Sequence, residues 1–291
     1  MIFTSLKKQD KYKLMTETPI PKLISYLALP TVLSMLVTSV YNMADTYFIG
    51  HIPGATQSEI TSATGAVAVV FSLMAIIQAC GFFFGQGSGS YISRELGNKN
   101  REGAEIMASF AFFVSLFVGA LIGIFGLIFI EPLAYFLGST DTILPYAKDY
   151  MFYILIGAPF MCGSFVLNNQ MRFQGNAYIS MIGIISGAGL NIILDYVFVL
   201  KLGMGTAGAG LATAIGQFVG FVVLFVGMRV GNNLKLKVRM FRFSSVYLKE
   251  VVRGGLPSLA RQGLASIGAL FLNYAGKLCG GDTVISAMGI V

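Results

Sequence analysis

The sequence has 291 residues, of which 55% are hydrophobic and only 11% are charged, and its net charge is +7. This composition excludes an ordinary water-soluble domain, in which roughly 25% of the residues are charged. The excess of lysine and arginine does not indicate nucleic acid as a partner. The cations lie in loops beside apolar segments, where they fix topology and contact anionic membrane lipid.

Seven apolar segments follow a basic N-terminal tail, and each is long enough for a helix to cross a hydrocarbon core of ~30 Å. The segments are apolar on nearly every face and rich in glycine, whereas the strands of a membrane barrel alternate in polarity over about ten residues. We therefore predict an all-α polytopic membrane protein. The predicted spans are residues 23–49, 60–92, 104–130, 146–168, 178–200, 206–230 and 247–279.

The basic residues alternate between the loops of the two sides. The N-terminal tail and the second, fourth and sixth loops carry 16 of the 20 Lys and Arg residues, and the opposite loops carry three. Lys and Arg are retained on the cytoplasmic side of a membrane. We therefore predict a multi-pass protein of the inner (plasma) membrane of the cell, with a cytoplasmic N-terminus.

The chain contains a weak internal repeat. Leu29-Pro30 opens the first span and Leu256-Pro257 opens the seventh, 227 residues later, and the segment 62–67 is echoed by 286–291. Six spans separate the copies, so both copies cross the membrane in the same direction. We predict a cytoplasmic tail over 1–22, a six-helix lobe over 23–230, a basic linker over 231–246 and the first helix of an incomplete second lobe over 247–291. Two copies at this period need about 450 residues, so we interpret the sequence as a fragment that lacks its C-terminal lobe.

Two carboxylates lie within spans, where an ionisable group costs about 2.5–3.5 kcal/mol on insertion scales. Asp45 lies near the end of the first span and Asp195 near the end of the fifth, so both belong to the same half of the membrane. Asn191 lies one helical turn before Asp195 in a stripe of small and polar residues, and Thr213 continues a similar stripe in the sixth span. We predict that these four residues form one cation-binding and coupling site.

Three further polar residues are interpreted as lining a cavity: Gln217, one turn beyond Thr213, Gln78 in the second span and Arg261 in the seventh. Arg261 either faces a water-filled cavity or extends to the nearby interface. Pro30 in the first span is a hinge candidate, with a static kink as the alternative. The three cysteines form no CxxC pair and the single histidine has no neighbouring ligands, so we expect no cofactor and no zinc site.

The paired carboxylates carry the predicted chemistry. Two nearby acids in a low-dielectric site disfavour double ionisation, which favours the binding of a proton or a small cation. Oxygen donors suit Na⁺, the only metal ion we expect, and the same carboxylates can share a proton. The residues leave H⁺ and Na⁺ open. Alternating access needs a second lobe, so a chain with one complete lobe can be inactive on its own.

These motifs resemble those of the multidrug and toxic compound extrusion (MATE) transporters. The resemblance covers nearly the whole chain after the tail and is carried by 29–30, 44–50 (ADTYFIG), 93–98 (SRELGN), 191–195 (NIILD) and 208–213 (GAGLAT). It implies twelve helices in two six-helix lobes, and cation-driven antiport of small amphipathic, often cationic organic substrates by alternating access. It also implies an N-lobe cation site at Asp45, Asn191, Asp195 and Thr213.

The chain departs from the resemblance in its seventh span. One branch of the family has an acidic residue there that serves a second cation site, whereas residues 258–263 read SLARQG. Arg261 also leaves open a related alternative, a lipid-linked oligosaccharide flippase of the same superfamily, whose cavity is lined by several basic residues. A distant alternative is an intramembrane aspartyl protease. The sequences MAD and ILD around the two acids do not match the signatures of those enzymes, so no enzyme activity is expected.

Overall fold

The computed structural model describes residues 15, 17–229, 234–279 and 282–288. The predicted N-terminal tail up to residue 14, residues 230–233 at the start of the predicted linker, and residues 289–291 of the repeat echo lie outside the described residues. The described part of the chain folds into helices without a strand. Its α-helices are α1 (Ile20–Ile49), α2 (Gln57–Gly97), α3 (Arg101–Ile128), α4 (Ile130–Phe136), α5 (Leu144–Phe173), α6 (Ala177–Asp195), α7 (Gly205–Arg229), α8 (Ser245–Cys279) and α9 (Asp282–Met288).

Six of these helices are long and apolar enough to cross a membrane, namely α1, α2, α3, α5, α6 and α7. They correspond to the first six predicted spans, with ends that differ by a few residues. The seventh predicted span forms α8, a helix of 35 residues, but α8 is not among the six. Arg261, Gln262 and Asn273 interrupt its apolar sequence, so its mean hydropathy is lower than that of the others.

Local sequence explains where α2 begins and where α6 changes form. Thr56 caps α2 by accepting a hydrogen bond from the Glu59 backbone, and the Glu59 side chain accepts one from the Thr56 backbone at 2.7 Å. The prediction of one regular helix over residues 178–200 is wrong at its end, because the α-helix α6 ends at Asp195. It passes directly after Asp195 into a π-helical turn, Tyr196–Lys201. Turns of this kind are frequent at functional sites.

Helix α5 is the centre of the helical bundle. It packs against α2, α3 and α7, whereas α6 packs chiefly on α7, and α1 chiefly on α6. Glycine allows the close approach of α6 and α7, since a Cβ on Gly187 would lie 2.7 Å from the backbone oxygen of Gly216. The α6 stripe of Gly183, Gly187, Asn191 and Asp195 is buried, so small and polar residues face the interior of the bundle.

Helix α8 packs along α2, on the side of the bundle away from α6. Backbones meet closely here, because a Cβ on Gly87 would lie 2.3 Å from the Val251 backbone oxygen. Towards the end of α8, Asn273 donates to Ser72 Oγ at 3.1 Å and Lys277 donates to the Ser139 backbone oxygen at 3.0 Å. Farther back along α8, Arg261 and Gln262 line a cavity that α1 and α5 also border.

Candidate functional site

A hydrogen bond between α1 and α5 is the starting point of the site. The Tyr150 hydroxyl of α5 donates to Asp45 Oδ2 of α1 at 2.5 Å. Both side chains are buried, Asp45 with 2% and Tyr150 with 0% of its surface exposed. A carboxylate is retained in such a place only when other groups satisfy it, and the hydroxyl satisfies one of its two oxygens.

The same hydroxyl connects α1 to the polar residues of α6 and α7. Tyr150 Oη lies 3.5 Å from Thr213 Oγ1, and Asn191 Nδ2 donates to Thr213 Oγ1 at 3.2 Å. Three predicted site residues, Asp45, Asn191 and Thr213, are thus joined through a tyrosine at their centre. The fourth, Asp195, lies one turn beyond Asn191 on α6, is fully buried and is in electrostatic range of Asp45. The structure therefore brings all four residues together.

The assembled site has more acceptors than donors. Asp45 Oδ1, Asn191 Oδ1 and both carboxylate oxygens of Asp195 are buried without a hydrogen-bond partner among the described residues. A buried acceptor without a donor costs about 1–3 kcal/mol, and more when it is charged. Oxygen atoms of this kind are the ligands that a proton or a small hard cation takes.

Two tyrosines of the site were not predicted from the sequence. Tyr150 is the central donor, and Tyr41, one turn before Asp45, contacts the Gln217 side chain with its hydroxyl and lies in electrostatic range of both carboxylates. A tyrosine in an apolar helix is too common to be singled out. The only sequence signal was the register of Tyr41 with Asp45 on one face of a helix. For Tyr150 there was none, since 105 residues separate it from Asp45.

A cavity of about 310 Å³ opens beside this site. It is bounded by α1, α2, α5, α6, α7 and α8. The predicted cavity residues Gln78, Gln217 and Arg261 line it, and so do Asn191 and Thr213 of the site, whereas Asp45 and Asp195 do not. Asn191 and Thr213 thus belong both to the site and to the cavity lining, and Arg261 is one of the cavity residues.

Pro30 lies apart from the site. It is buried in α1, 15 residues before Asp45, and its backbone oxygen accepts a hydrogen bond from Ser34 Oγ at 2.7 Å. Four helical turns separate the two residues, so Pro30 contacts none of the site oxygens. A role of Pro30 in the site can only be indirect, through the shape or the movement of α1.

Comparisons with known proteins agree with this architecture. The family model MatE matches residues 30–197. A curated relative, the multidrug export protein MepA of Staphylococcus haemolyticus (strain JCSC1435), is 29% identical over 269 residues, which are 91% of this chain and 58% of the relative. The chain therefore spans a little over half the length of this relative.

Solved structures show the same similarity. An inward-facing multidrug resistance MATE family transporter of the MOP superfamily matches with a TM-score of 0.79 and 28% identity, covering 91% of this chain and 60% of that one. An outward-facing conformation of such a transporter matches with a TM-score of 0.78 and 30% identity, covering 91% of this chain and 57% of that one. In both comparisons the described helices match a little over half of a longer helical protein.

Proposed function

Because this chain belongs to the MatE family, we propose that it is the ion-coupling lobe of a secondary transporter that exports amphipathic organic compounds in exchange for H⁺ or Na⁺. Its relatives are named as export proteins and transporters rather than enzymes. The observation that carries the proposal is the buried set of Asp45, Tyr150, Asn191, Asp195 and Thr213, in which four acceptor oxygens have no donor among the residues that the structure describes.

The coupling follows from the position of Asp45 on α1. When an ion from outside binds between the two carboxylates, the repulsion between Asp45 and Asp195 falls and the oxygens of α1 and α6 are drawn to one centre. The ion therefore stabilises one position of α1 relative to α6 and α7. An ion drives a conformational change only by its differential affinity for the two states, and a site shared between helices has that property.

Transport by this chain extended with the C-terminal part of the MepA relative, in proteoliposomes with an imposed pH or Na⁺ gradient, tests the proposal. We expect Asp45→Asn and Asp195→Asn each to reduce gradient-driven dye export to the level of empty vesicles, since either change removes one charge that the ion neutralises. The two gradients, applied separately, identify the ion. Asp149→Asn is the matched control because Asp149 is exposed near the beginning of α5, next to Tyr150. Undiminished export by both site variants would refute the proposal.

The activity of this chain by itself is a separate measurement. The chain covers 58% of the MepA relative, and alternating access in two-lobe transporters needs both lobes. We propose that export requires a second lobe. The assay is therefore run with this chain alone and with a version extended by the C-terminal part of the MepA relative. Export only in the extended version supports this proposal, and export by the chain alone contradicts it.

A further inference from the structure

The charge of the cavity wall is opposite to that of the ion site. Of the described residues that line the cavity, two are charged, Arg172 of α5 and Arg261 of α8, and no carboxylate lines it. The proposed coupling site uses neither arginine. A purely cationic ligand would meet two like charges in this cavity, whereas an acid would meet two opposite ones.

A second hydrogen-bond donor lies near Arg172 in the same cavity, on the side chain of Asn168. Asn168 lies one turn before Arg172 on α5, lines the same cavity and is 5% exposed, and its Nδ2 has no hydrogen-bond partner among the described residues. Arg172 Nε donates to Ser180 Oγ at 3.2 Å, which fixes the guanidinium group. Both side chains offer N–H donors, and charge-assisted bonds from arginine to carboxylate or phosphate are among the strongest hydrogen bonds in proteins.

Arg261 lies at a different depth in the cavity. Its neighbour Gln262 donates to Gln78 Oε1 of α2 at 3.3 Å, whereas Asn169, the neighbour of Asn168, accepts from Gln86 Nε2 of α2 at 2.9 Å. Positions 78 and 86 are two turns apart, which is about 12 Å along the helix. The two arginines therefore provide positive charge at two levels of an elongated cavity.

Apolar surface lies between these two levels. Phe82 of α2 and Phe165 of α5 both line the cavity, and their ring centroids are 5.3 Å apart. Phe165 is one turn from Asn168 on the same face of α5. A ligand that places an acidic group on Asn168 and Arg172 thus brings its apolar part against the two rings.

We propose that this cavity binds amphipathic molecules that carry a carboxylate, sulfonate or phosphate group. Asn168 and Arg172 donate to the acid, Phe82 and Phe165 contact the apolar part, and Arg261 adds positive potential at the second level. The inference rests on the proposed export function and names its substrate class. It differs from the cationic substrates that the family resemblance implies. A soluble organic acid and an anionic lipid share this chemistry.

Equilibrium binding to the purified chain in nanodiscs of zwitterionic lipid tests the inference. The probes are dansylphenylalanine, which carries a carboxylate, and its uncharged amide, with fluorescence anisotropy as the readout. We expect the acid to bind at least tenfold more tightly, which corresponds to about 1.4 kcal/mol. Arg172→Gln, Arg261→Gln and Asn168→Leu should each reduce this preference. Arg172→Lys should retain part of it, since it keeps the charge but loses the planar group of donors.

The control variant is Arg253→Gln, which removes a cation from α8 at an exposed position that does not line the cavity. Thermal unfolding in the same nanodiscs shows whether each variant is folded. If Arg172→Gln is unfolded, the acid preference of Arg261→Gln and Asn168→Leu tests the inference. Displacement of the probe by short-chain phosphatidic acid but not phosphatidylcholine identifies a lipid phosphate as a ligand. If neither lipid displaces the probe, the ligand is a soluble organic acid.

Equal affinity for acid and amide, or an unchanged preference in the three cavity variants, would overturn the inference. Binding is measured without an ion gradient, so its outcome is separate from that of the export assay. Asp45→Asn should leave the preference for the acid intact, because Asp45 does not line the cavity. A loss of export with a retained preference for the acid would separate the two proposals.

Discussion

Helices α1 and α5 have much in common and differ in one respect. Each has 30 residues and one internal proline, Pro30 and Pro159, and each provides one partner of the hydrogen bond between Asp45 and Tyr150. In the most apolar part of α5, however, 61% of the residues are buried within the protein, against 6% in α1. The acid of the site is therefore carried by the least packed spanning helix and its hydroxyl donor by a central one.

The difference assigns separate tasks to the two helices. Helix α5 is a framework, because a change in its position would disturb α2, α3 and α7 together. Helix α1 packs chiefly on α6, and apolar side chains such as Leu29, Leu33 and Leu36 are exposed on its outer face. The hydrogen bond from Tyr150 to Asp45 links it to α5. We therefore expect α1 to respond to ion binding and α5 to stay in place.

The largest expected effect compares an apolar truncation in each helix. Ile154 of α5 is 0% exposed and Leu36 of α1 is 57% exposed. We expect Ile154→Ala to lower the free energy of unfolding by about 2–5 kcal/mol, because the cavity it leaves cannot be filled. Leu36→Ala should change it by less than about 0.5 kcal/mol. Thermal unfolding in one detergent measures both. Equal losses would show that α1 is as firmly packed as α5.

The two helices also differ in how well their site residues could be predicted. Asp45 and Asp195 were found from the sequence because a charge inside a span is rare and costly, and Asn191 and Thr213 because helical spacing places them beside a polar neighbour. Tyr150 could not be found in this way. Its role depends on which helix lies next to α1 in space, and a single sequence contains no record of contacts between distant segments.

The fold shows the same limit. Apolar length and loop charge predicted the spanning helices to within a few residues. The packing of α8 along α2 and the π-helical turn after Asp195 depend on contacts between helices, such as the close approach at Gly87. Arg172 was counted as a loop cation that fixes topology, and its place in the cavity became visible only when α5 and α8 were seen to face each other across it.

A smaller effect is expected from the link between the two helices. Tyr150→Phe removes the hydroxyl that donates to Asp45 and leaves the ring packing unchanged. A hydrogen bond to a charged group contributes about 1.5–3 kcal/mol, so we expect hydrogen exchange of the α1 backbone around Asp45 to accelerate about tenfold or more. Exchange in α5 should stay the same. Tyr153→Phe, one turn further along α5, is the control. Equal acceleration in both helices would mean that α1 does not move separately.

The smallest expected effect comes from substituting the internal prolines of the two helices, Pro30 and Pro159. It is a difference of about tenfold in export rate, or 1.4 kcal/mol. Pro30→Ala restores a backbone hydrogen bond in α1 and removes the freedom to bend. We therefore expect slower export without a loss of thermal stability. The ring of Pro159 is partly buried in α5, which packs against α2, α3 and α7, so its removal loses apolar contact. Pro159→Ala should lower the unfolding temperature while the folded protein exports at its normal rate. Both variants are measured in the export assay and in thermal unfolding. If Pro30→Ala lowers stability alone, as expected of Pro159→Ala, Pro30 is not a hinge and α1 is not the element that responds to the ion.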